Sequence, residues 1–178
     1  MRIIRGSQKG RKISLPKGFK SRPTTDFAKE SLFNILDNLY YFDKATVLDL
    51  FAGTGNISLE FFSRGCTNVT SVEINKRNSY HIEKQIEEFF PSLSNVITAD
   101  VYRFCKNSNL AYKIIFADPP FFDKNIKLLP ELIFNNPSVL EDTLFILEHS
   151  AKNNFSDSPF FKESRKYGNV NFTFFEKK

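Results

Sequence analysis

The chain of 178 residues carries a net charge of +5, and its length fits one domain with a core of its own. It has no run of about 18 apolar residues, which excludes a membrane-spanning helix, and its N-terminus lacks the apolar stretch of a signal peptide. Cys66 and Cys105 have no partner at metal-ligand or CxxC spacing, so we expect no disulfide framework and no metal site. Unpaired thiols without an export signal are typical of the reducing cytoplasm, where we expect a monomer.

The positive charge is concentrated at the start of the chain. Residues 1–25 contain eight basic residues and no acid, whereas the remainder contains 17 basic and 20 acidic residues. Such a segment attracts phosphate groups through counterion release and long-range electrostatics. The alternative is a solvated run of charge, but the interleaved apolar residues favour a contact with nucleic acid.

The first predicted element is a basic β-hairpin, formed by "RIIRG" and "RKISL" around a Gly-containing turn. We assign it to residues 1–22, as an extension of a main domain in residues 23–178. The stretch "TTDFAKESLFNILDNLY" then predicts a helix, because Thr and Asp suit its N-terminal cap and apolar residues recur at helical spacing. This apolar stripe consists of Ala28, Leu32, Ile35, Leu36 and Leu39.

From residue 46 onward, strand and helix patterns alternate. The predicted strands are "TVLDLF", "NVTSVEI", "NVITAD", "YKIIFAD" and "TLFILEH", and the tail "KESRKYGNVNFTFFEK" predicts a closing antiparallel hairpin. A helix in "KNIKLLPELIFN" is interrupted by Pro130. The alternation predicts a Rossmann-like α/β fold, with a mostly parallel sheet covered on both faces. Ligands of such folds bind beyond the carboxyl ends of the strands.

Acidic and small residues follow the first three strands, where a ligand is expected. Asp49 lies near the end of the first strand, and Gly53 and Gly55 allow a sharp turn close to a ligand. Glu73 ends the second strand and can accept hydrogen bonds from ribose hydroxyls, and Asp100 ends the third. The predicted cofactor-binding residues are Asp49, Phe51, Gly53, Thr54, Gly55, Glu73, Ile74, Asp100 and Val101.

Two cofactors could explain this pattern, a dinucleotide and S-adenosylmethionine. A third interpretation is a Gly-rich turn that binds no ligand. A dinucleotide needs a third small residue and a helix N-terminus that faces pyrophosphate, and here Ser58 holds the third position. Three carboxylates around the pocket would repel a pyrophosphate. S-adenosylmethionine, which is cationic and carries no phosphate, suits the acids better and is the cofactor that we predict.

The fourth strand ends in "ADPPFF", which faces the same crevice in this fold. The lone pair of an exocyclic nucleobase amine is delocalised into the ring, so the amine is a weak nucleophile. Hydrogen bonds to Asp118 and to a carbonyl of the Pro119–Pro120 turn would aim that lone pair at a methyl donor, and Phe121 offers a stacking face. The alternative is a strand followed by proline at a helix start. We predict Asp118, Pro119, Pro120 and Phe121 as catalytic residues.

The chain resembles SAM-dependent amino-methyltransferases that act on nucleic acids, through "DLFAGTG", the acid of "VEI" and "DPPF". The order of "RIIRGSQKGRKI", "RPTTDFAKESLFNIL" and "DLFAGTGNISLEFFSRG" is similar to the RsmD-type 16S rRNA (guanine-N2)-methyltransferases. The resemblance implies a class I methyltransferase fold with a seven-stranded sheet, and an enzyme that acts on 16S rRNA in an assembling 30S subunit. The residues it would place toward RNA are Arg2, Arg5, Lys9, Arg11, Lys12, Arg22, Thr24 and Thr25.

Two alternatives remain open from the residues alone. An adenine-N6 or cytosine-N4 methyltransferase would use the same Asp-Pro-Pro-Phe chemistry, although a chain of 178 residues has no obvious separate target-recognition domain. An RNA-binding assembly factor with a vestigial cofactor site would not need Asp49, Glu73, Asp100 and Asp118. Residues 150–163 match no motif that we can place.

Overall fold

The computed structural model describes residues 1–16, 18–19 and 24–177. Its strands are β1 (Thr46–Leu50), β2 (Asn68–Glu73), β3 (Val96–Thr98), β4 (Ile114–Ala117), β5 (Leu144–His149), β6 (Phe161–Tyr167) and β7 (Val170–Phe175). Its α-helices are α1 (Asp26–Asp37), α2 (Asn56–Ser63), α3 (Lys76–Phe89), α4 (Val101–Asn107) and α5 (Leu129–Phe134). None of the described helices is long and apolar enough to cross a membrane.

The seven strands form one sheet in the order β3-β2-β1-β4-β5-β7-β6. The first five strands of this order pair in parallel, whereas β7 pairs antiparallel with both β5 and β6. The predicted fold, a mostly parallel sheet with an antiparallel closing strand, is therefore confirmed. The chain leaves the centre of the sheet in opposite directions from β1 and from β4, and this switch point opens a crevice at the carboxyl ends of these strands.

A separate apolar core covers each face of the sheet. One core contains residues of α1, α2 and α3, and the other contains residues of α4 and α5. The stretch that matched no motif contributes to the second core, because Phe155 is buried there and Phe160 stacks on Phe134 with ring centroids 4.6 Å apart. Pro130 lies in the first turn of α5, where it does not break the helix as the sequence had suggested.

Helix α1 follows its prediction except at its end. The Thr25 hydroxyl accepts a hydrogen bond from the Ala28 N–H at 3.2 Å and caps the helix. Leu32 and Leu36 are buried, as the apolar stripe requires. Leu39 lies beyond the end of the helix at Asp37 and is 56% exposed, so its place in the stripe was wrongly predicted.

The predicted N-terminal hairpin forms in a short version, with one antiparallel bridge between Arg2 and Lys12 and a cross-strand backbone hydrogen bond on each side of it. The backbone N–H groups of Ile4 and Arg5 donate to the carboxylate of Glu60 at 2.8 and 3.0 Å, so they are not free to pair with a second strand. The segment also packs into the core of α1, α2 and α3, where Ile3 is fully buried. A domain boundary at residue 22 stays a prediction, because residues 20–23 lie outside the described part of the chain.

A buried ion pair joins this N-terminal segment to two helices. Lys29 of α1 and Glu60 of α2 are both fully buried, with Nζ and Oε2 3.2 Å apart. The Lys29 ammonium also donates to the Arg2 carbonyl and to Asn56 Oδ1, each at 2.8 Å. Burial lowers the pKa of Lys29, while the Glu60 carboxylate opposes that shift. The ammonium is held in the core by three oxygen partners.

We expect Lys29→Ala to destabilise the fold by about 3–5 kcal/mol, because it breaks the buried pair with Glu60, leaving Arg64 as the remaining buried cation on that carboxylate, and removes the donor to Asn56 and to the Arg2 carbonyl. Equilibrium unfolding in urea measures this free energy. The control is Lys152→Ala, since Lys152 is exposed and its loss should change the free energy of unfolding by less than about 0.5 kcal/mol. Equal stability of the two variants would contradict the structural role of the pair.

Candidate active site

A cleft of about 580 Å³ lies beyond the carboxyl ends of β1, β2 and β4. Its volume is in the range of sites that hold a small molecule. It is lined by Phe19, Thr24, Asp49, Phe51–Thr54, Asn56, Ile57, Glu73, Ile74, Asn78, Phe116 and Asp118–Phe122. The structure thus brings most of the residues predicted to bind a cofactor together with the residues predicted to be catalytic.

The loop after β1 has an unusual backbone conformation. Phe51, Gly53 and Gly55 all have positive φ angles, of 59°, 56° and 75°. A positive φ is costly for Phe51 and inexpensive for glycine. A Cβ atom on Gly55 would also lie 3.0 Å from Ile82, so only glycine fits at the start of α2. The loop is therefore held in one shape against the cleft.

Glu73 fixes this loop from the end of β2. Its Oε2 accepts a hydrogen bond from the Gly53 N–H at 2.9 Å, and its Oε1 accepts one from the Asn75 N–H at 2.8 Å. Each carboxylate oxygen keeps a further lone pair for a ligand. Ile74, next along the chain, is 63% exposed and adds an apolar surface to the same wall.

Asp49 connects β1 to α2 beneath the loop. It is 2% exposed, and its Oδ2 accepts from the Ser58 N–H at 3.1 Å and from the Ser58 hydroxyl at 2.5 Å. Burial raises the pKa of Asp49 to about 7, against the lowering effect of the Ser58 hydrogen bonds. Ser58 thus serves the packing role of a third small residue and also binds the acid, which the sequence pattern did not indicate.

The Asp-Pro-Pro-Phe stretch follows β4 at the edge of the cleft. Asp118 is half-buried, and after the two prolines the chain turns back, with the Asp123 N–H donating to the Pro120 carbonyl at 2.9 Å. Tyr102 of α4 donates to Asp123 at 2.7 Å and holds this turn. No helix begins at the prolines, which excludes the alternative interpretation of this motif. Phe121 is 64% exposed, so its ring is accessible from the cleft.

The structure adds a second acid beside Asp118 that our sequence reasoning missed. Glu148 of β5 is 5% exposed, and the buried Thr24 hydroxyl donates to its Oε2 at 2.7 Å. Burial raises the pKa of Glu148 to about 7. Burial and the Glu148 charge also raise the pKa of Asp118 well above its usual value. The only signal in the sequence was an acid within the apolar strand "TLFILEH".

Three predicted cofactor residues do not line the cleft. Asp100 accepts a hydrogen bond from the Arg103 N–H at 2.9 Å and caps α4, and Val101 is buried in the core. Gly55 lies behind the loop, where it starts α2. A direct contact of Asp100, Val101 or Gly55 with a cofactor therefore stays a prediction.

The predicted RNA-binding arginines form ion pairs with acids of the helices. Arg2 pairs with Asp26 at 3.3 Å, Arg5 with Asp37 at 3.0 Å and Arg11 with Glu88 at 2.6 Å. These pairs leave the guanidinium groups partly exposed but reduce the local positive charge.

Lys9 and Lys12 are exposed, and neither forms an ion pair with any residue that the structure describes. Arg22 lies outside the described residues. Thr25 caps α1, and Thr24 faces the cleft and Glu148, so its contact with RNA stays a prediction.

The charge of the cleft is negative. Its described lining contains the three carboxyl groups of Asp49, Glu73 and Asp118 and no lysine or arginine. The described residues also hold no cluster of three or more His, Cys, Asp or Glu that could bind a metal ion. The arrangement suits a ligand with positive charge and hydroxyl groups, and it disfavours a pyrophosphate.

Comparison with known sequences identifies the family of the chain. A family model described as conserved hypothetical protein 95 matches residues 1–176. The chain is 33% identical over 119 residues to ribosomal RNA small subunit methyltransferase D of Escherichia coli K12. The aligned region covers 67% of this chain and 59% of that protein. It is also 33% identical over 160 residues to YlbH, a candidate rRNA methyltransferase of Bacillus subtilis, covering 85% of this chain and 84% of YlbH.

A solved structure agrees with the sequence comparison. The chain superposes on yhhF of Escherichia coli, a candidate methyltransferase, with a TM-score of 0.86 and 27% identity over 100% of this chain and 98% of yhhF. The chain spans about three fifths of the length of the Escherichia coli and Buchnera aphidicola small subunit methyltransferases that it matches. The match of the family model to nearly the whole chain shows that it belongs to the conserved hypothetical protein 95 family, the RsmD-type methyltransferases.

Proposed function

We propose that the chain transfers a methyl group from S-adenosylmethionine to the exocyclic N2 of a guanine in 16S rRNA. The observation that carries this proposal is the cleft at the switch point between β1 and β4. There an Asp-Pro-Pro-Phe turn faces a pocket that is rich in carboxylates and free of lysine and arginine among its described residues. The name of the Escherichia coli relative, ribosomal RNA small subunit methyltransferase D, supports rRNA as the substrate.

The residues at the ends of β1 and β2 fit the cofactor. Glu73 would accept hydrogen bonds from the ribose hydroxyls, and the exposed side chain of Ile74 would support the adenine ring. The buried Asp49 and the loop at Gly53 would face the charged methionine part, where a carboxylate favours an ammonium group. When bound, S-adenosylmethionine supplies a methyl group whose bond to sulfur breaks with the electron pair left on sulfur, and the amine nitrogen that takes the methyl group releases one proton.

The residues after β4 would position the amine. Asp118 would accept a hydrogen bond from one N–H of the amine, which leaves the nitrogen lone pair directed at the methyl donor. The carbonyl of Pro119 would accept the other, since the Pro120 carbonyl already binds Asp123 within the turn. Phe121 would stack on the guanine ring. A paired or stacked guanine must first be turned out of its helix to reach this pocket.

The N-terminal segment would contact the RNA backbone. Lys9 and Lys12 are exposed, and Arg2, Arg5 and Arg11 keep part of their surface. The proposal takes the substrate to be rRNA in an assembling 30S subunit, and the enzyme to act as a monomer in the cytoplasm. RNA in that particle is folded, so recognition of shape and phosphate is the expected mode.

Methyl transfer from labelled S-adenosylmethionine tests the proposed reaction. Unmodified 30S particles, free 16S rRNA and duplex DNA are offered side by side, and the methylated nucleoside is identified by mass spectrometry. We expect N2-methylguanosine in the rRNA or the particle. Label in adenine or in DNA would keep the fold and the amine chemistry but refute the substrate, and saturable RNA binding without label would favour an assembly factor.

We expect Asp118→Ala to lower kcat by about 10²- to 10³-fold, because the variant loses the acceptor that orients the amine. Binding of S-adenosylmethionine, measured by calorimetry, should stay within about twofold of wild type because Asp118 acts on the amine. The control is Asp157→Ala, which removes an exposed carboxylate that does not line the cleft. Full activity of Asp118→Ala would remove this residue from the mechanism.

We expect the double variant Lys9→Ala/Lys12→Ala to bind RNA more weakly and with a smaller salt dependence. Each lost phosphate contact should reduce the slope of log K against log salt by about 0.7 to 0.9. Fluorescence anisotropy with an rRNA fragment at several salt concentrations measures this slope. The control is Lys106→Ala/Lys152→Ala, which removes two exposed lysines from other parts of the surface. Identical slopes for the two double variants would refute RNA contacts by Lys9 and Lys12.

A further inference from the structure

Asp118 shares its environment with a second carboxyl group. The parallel pairing of β4 with β5 places Ala117 opposite Leu147, so the next residues, Asp118 and Glu148, lie side by side. The hydroxyl of Thr24 donates to Glu148 Oε2 at 2.7 Å and also lies close enough to Asp118 to favour the charged form of that carboxyl. Thr24 and Glu148 are each only 5% exposed, and Asp118 is half-buried beside them.

The number of protons that Asp118, Thr24 and Glu148 can share limits the charge of the three groups. A threonine hydroxyl has one hydrogen to donate and two lone pairs that accept. If both carboxyls were ionised, the hydroxyl could donate to only one of them, and the other charge would lie beside it without this donor. If one carboxyl is protonated, it donates to the Thr24 oxygen while Thr24 donates to the other, and every group is satisfied. The geometry therefore favours one proton on the pair.

The surroundings supply no cation that would change this count. Asp49 of β1 is the further acid near Asp118 and adds negative charge. The partner of Glu148 on β7 is the apolar Phe172. His149 binds Thr173 and the Ser150 carbonyl, and burial lowers its pKa, which favours the neutral ring. No lysine or arginine occurs among the described residues that line either side of the pair.

We propose that Thr24 and Glu148 form a proton relay with Asp118 that prepares it for the substrate amine. In the free enzyme Asp118 donates to Thr24, and Thr24 donates to Glu148. When the amine approaches, each proton moves one bond along the chain, so that Glu148 becomes neutral and Asp118 becomes the carboxylate that accepts the amine N–H. The pair keeps one negative charge throughout. Thr24 and Glu148 are thus positioning residues, and this role rests on the proposed function.

The position of Thr24 is itself fixed by the N-terminal part of the fold. Its carbonyl accepts a hydrogen bond from Asn56 Nδ2 at 3.2 Å, and Asn56 Oδ1 accepts one from Lys29 at 2.8 Å. Asn56 and Lys29 are both buried, so these hydrogen bonds hold Thr24 in one position. A hydroxyl that is held in this way can exchange donor and acceptor roles without moving.

The pH dependence of kcat for Glu148→Gln tests the relay. Glutamine can donate an N–H to Thr24, as neutral Glu148 would, but it cannot ionise. In the wild type we expect kcat to fall at alkaline pH, when the pair loses its last proton and the two charges repel. Glu148→Gln should lose this alkaline limb, whereas Glu148→Ala should lower kcat about tenfold or more at every pH. Identical limbs in wild type and Glu148→Gln would overturn the relay.

Thr24 variants separate the hydroxyl from the shape of the side chain. We expect Thr24→Val to lower kcat by about tenfold or more with the affinity for S-adenosylmethionine kept, and Thr24→Ser to restore most of the loss. Circular dichroism checks that each variant is folded. Equal activity of the valine and serine variants would contradict a role for the hydroxyl.

Carbon-13 NMR of labelled aspartate and glutamate carboxyls tests the shared proton without any turnover. In the wild type Asp118 and Glu148 should titrate together in two steps. In Glu148→Gln, Asp118 should titrate in one step, about one pH unit or more below the upper wild-type step. One independent step for each residue in the wild type would overturn the relay. A coupled titration in an enzyme that methylates no guanine would refute the proposed function and leave the shared proton established.

Discussion

A single buried ammonium group holds the N-terminal half of the molecule together. Lys29 binds Glu60, Asn56 and the carbonyl of Arg2, so that α1, α2 and the N-terminal segment meet at one point. A desolvated charge tolerates little change in its partners, because the loss of any one leaves an unpaired group in the core. Asn56 extends the same hydrogen-bond chain to Thr24 at the cleft. The shape of the site therefore depends on an interaction that contacts no ligand.

The parallel sheet is the second constraint on the site, because it brings the acids at the carboxyl ends of several strands together. The ends of β1, β2, β4 and β5 carry Asp49, Glu73, Asp118 and Glu148 close together. The carboxyls of Asp49, Glu73 and Glu148 accept hydrogen bonds from backbone N–H groups or from hydroxyls of serine and threonine. The charge that remains directs the cleft toward cationic ligands and toward N–H donors, and both properties agree with transfer of a methyl group from a sulfonium to an amine.

The order of strands and helices could be predicted from the sequence, because buried parallel strands are continuous apolar runs and the helices are amphipathic. The residues at Asp49, Gly53, Glu73 and Asp118 could be predicted because ligands bind at strand ends. The short extent of the N-terminal hairpin could not be predicted from the sequence, because it depends on Glu60, which lies 55 residues after Arg5. Glu148 was missed for a similar reason, because its importance comes from the register of β4 and β5 and from Thr24.

The hydrogen bonds of the N-terminal segment also determine the order in which the molecule can be assembled during synthesis. Residues 4, 5 and 8 leave the ribosome before their partners, which are Glu60, Ser63 and Phe89. At about 5–20 residues per second, the segment must wait several seconds for α2 and α3 to emerge. The apolar residues of this segment are exposed during that interval. When the segment docks, it forms contacts between residues that are far apart in the sequence. This segment is thus among the last parts of the core to pack.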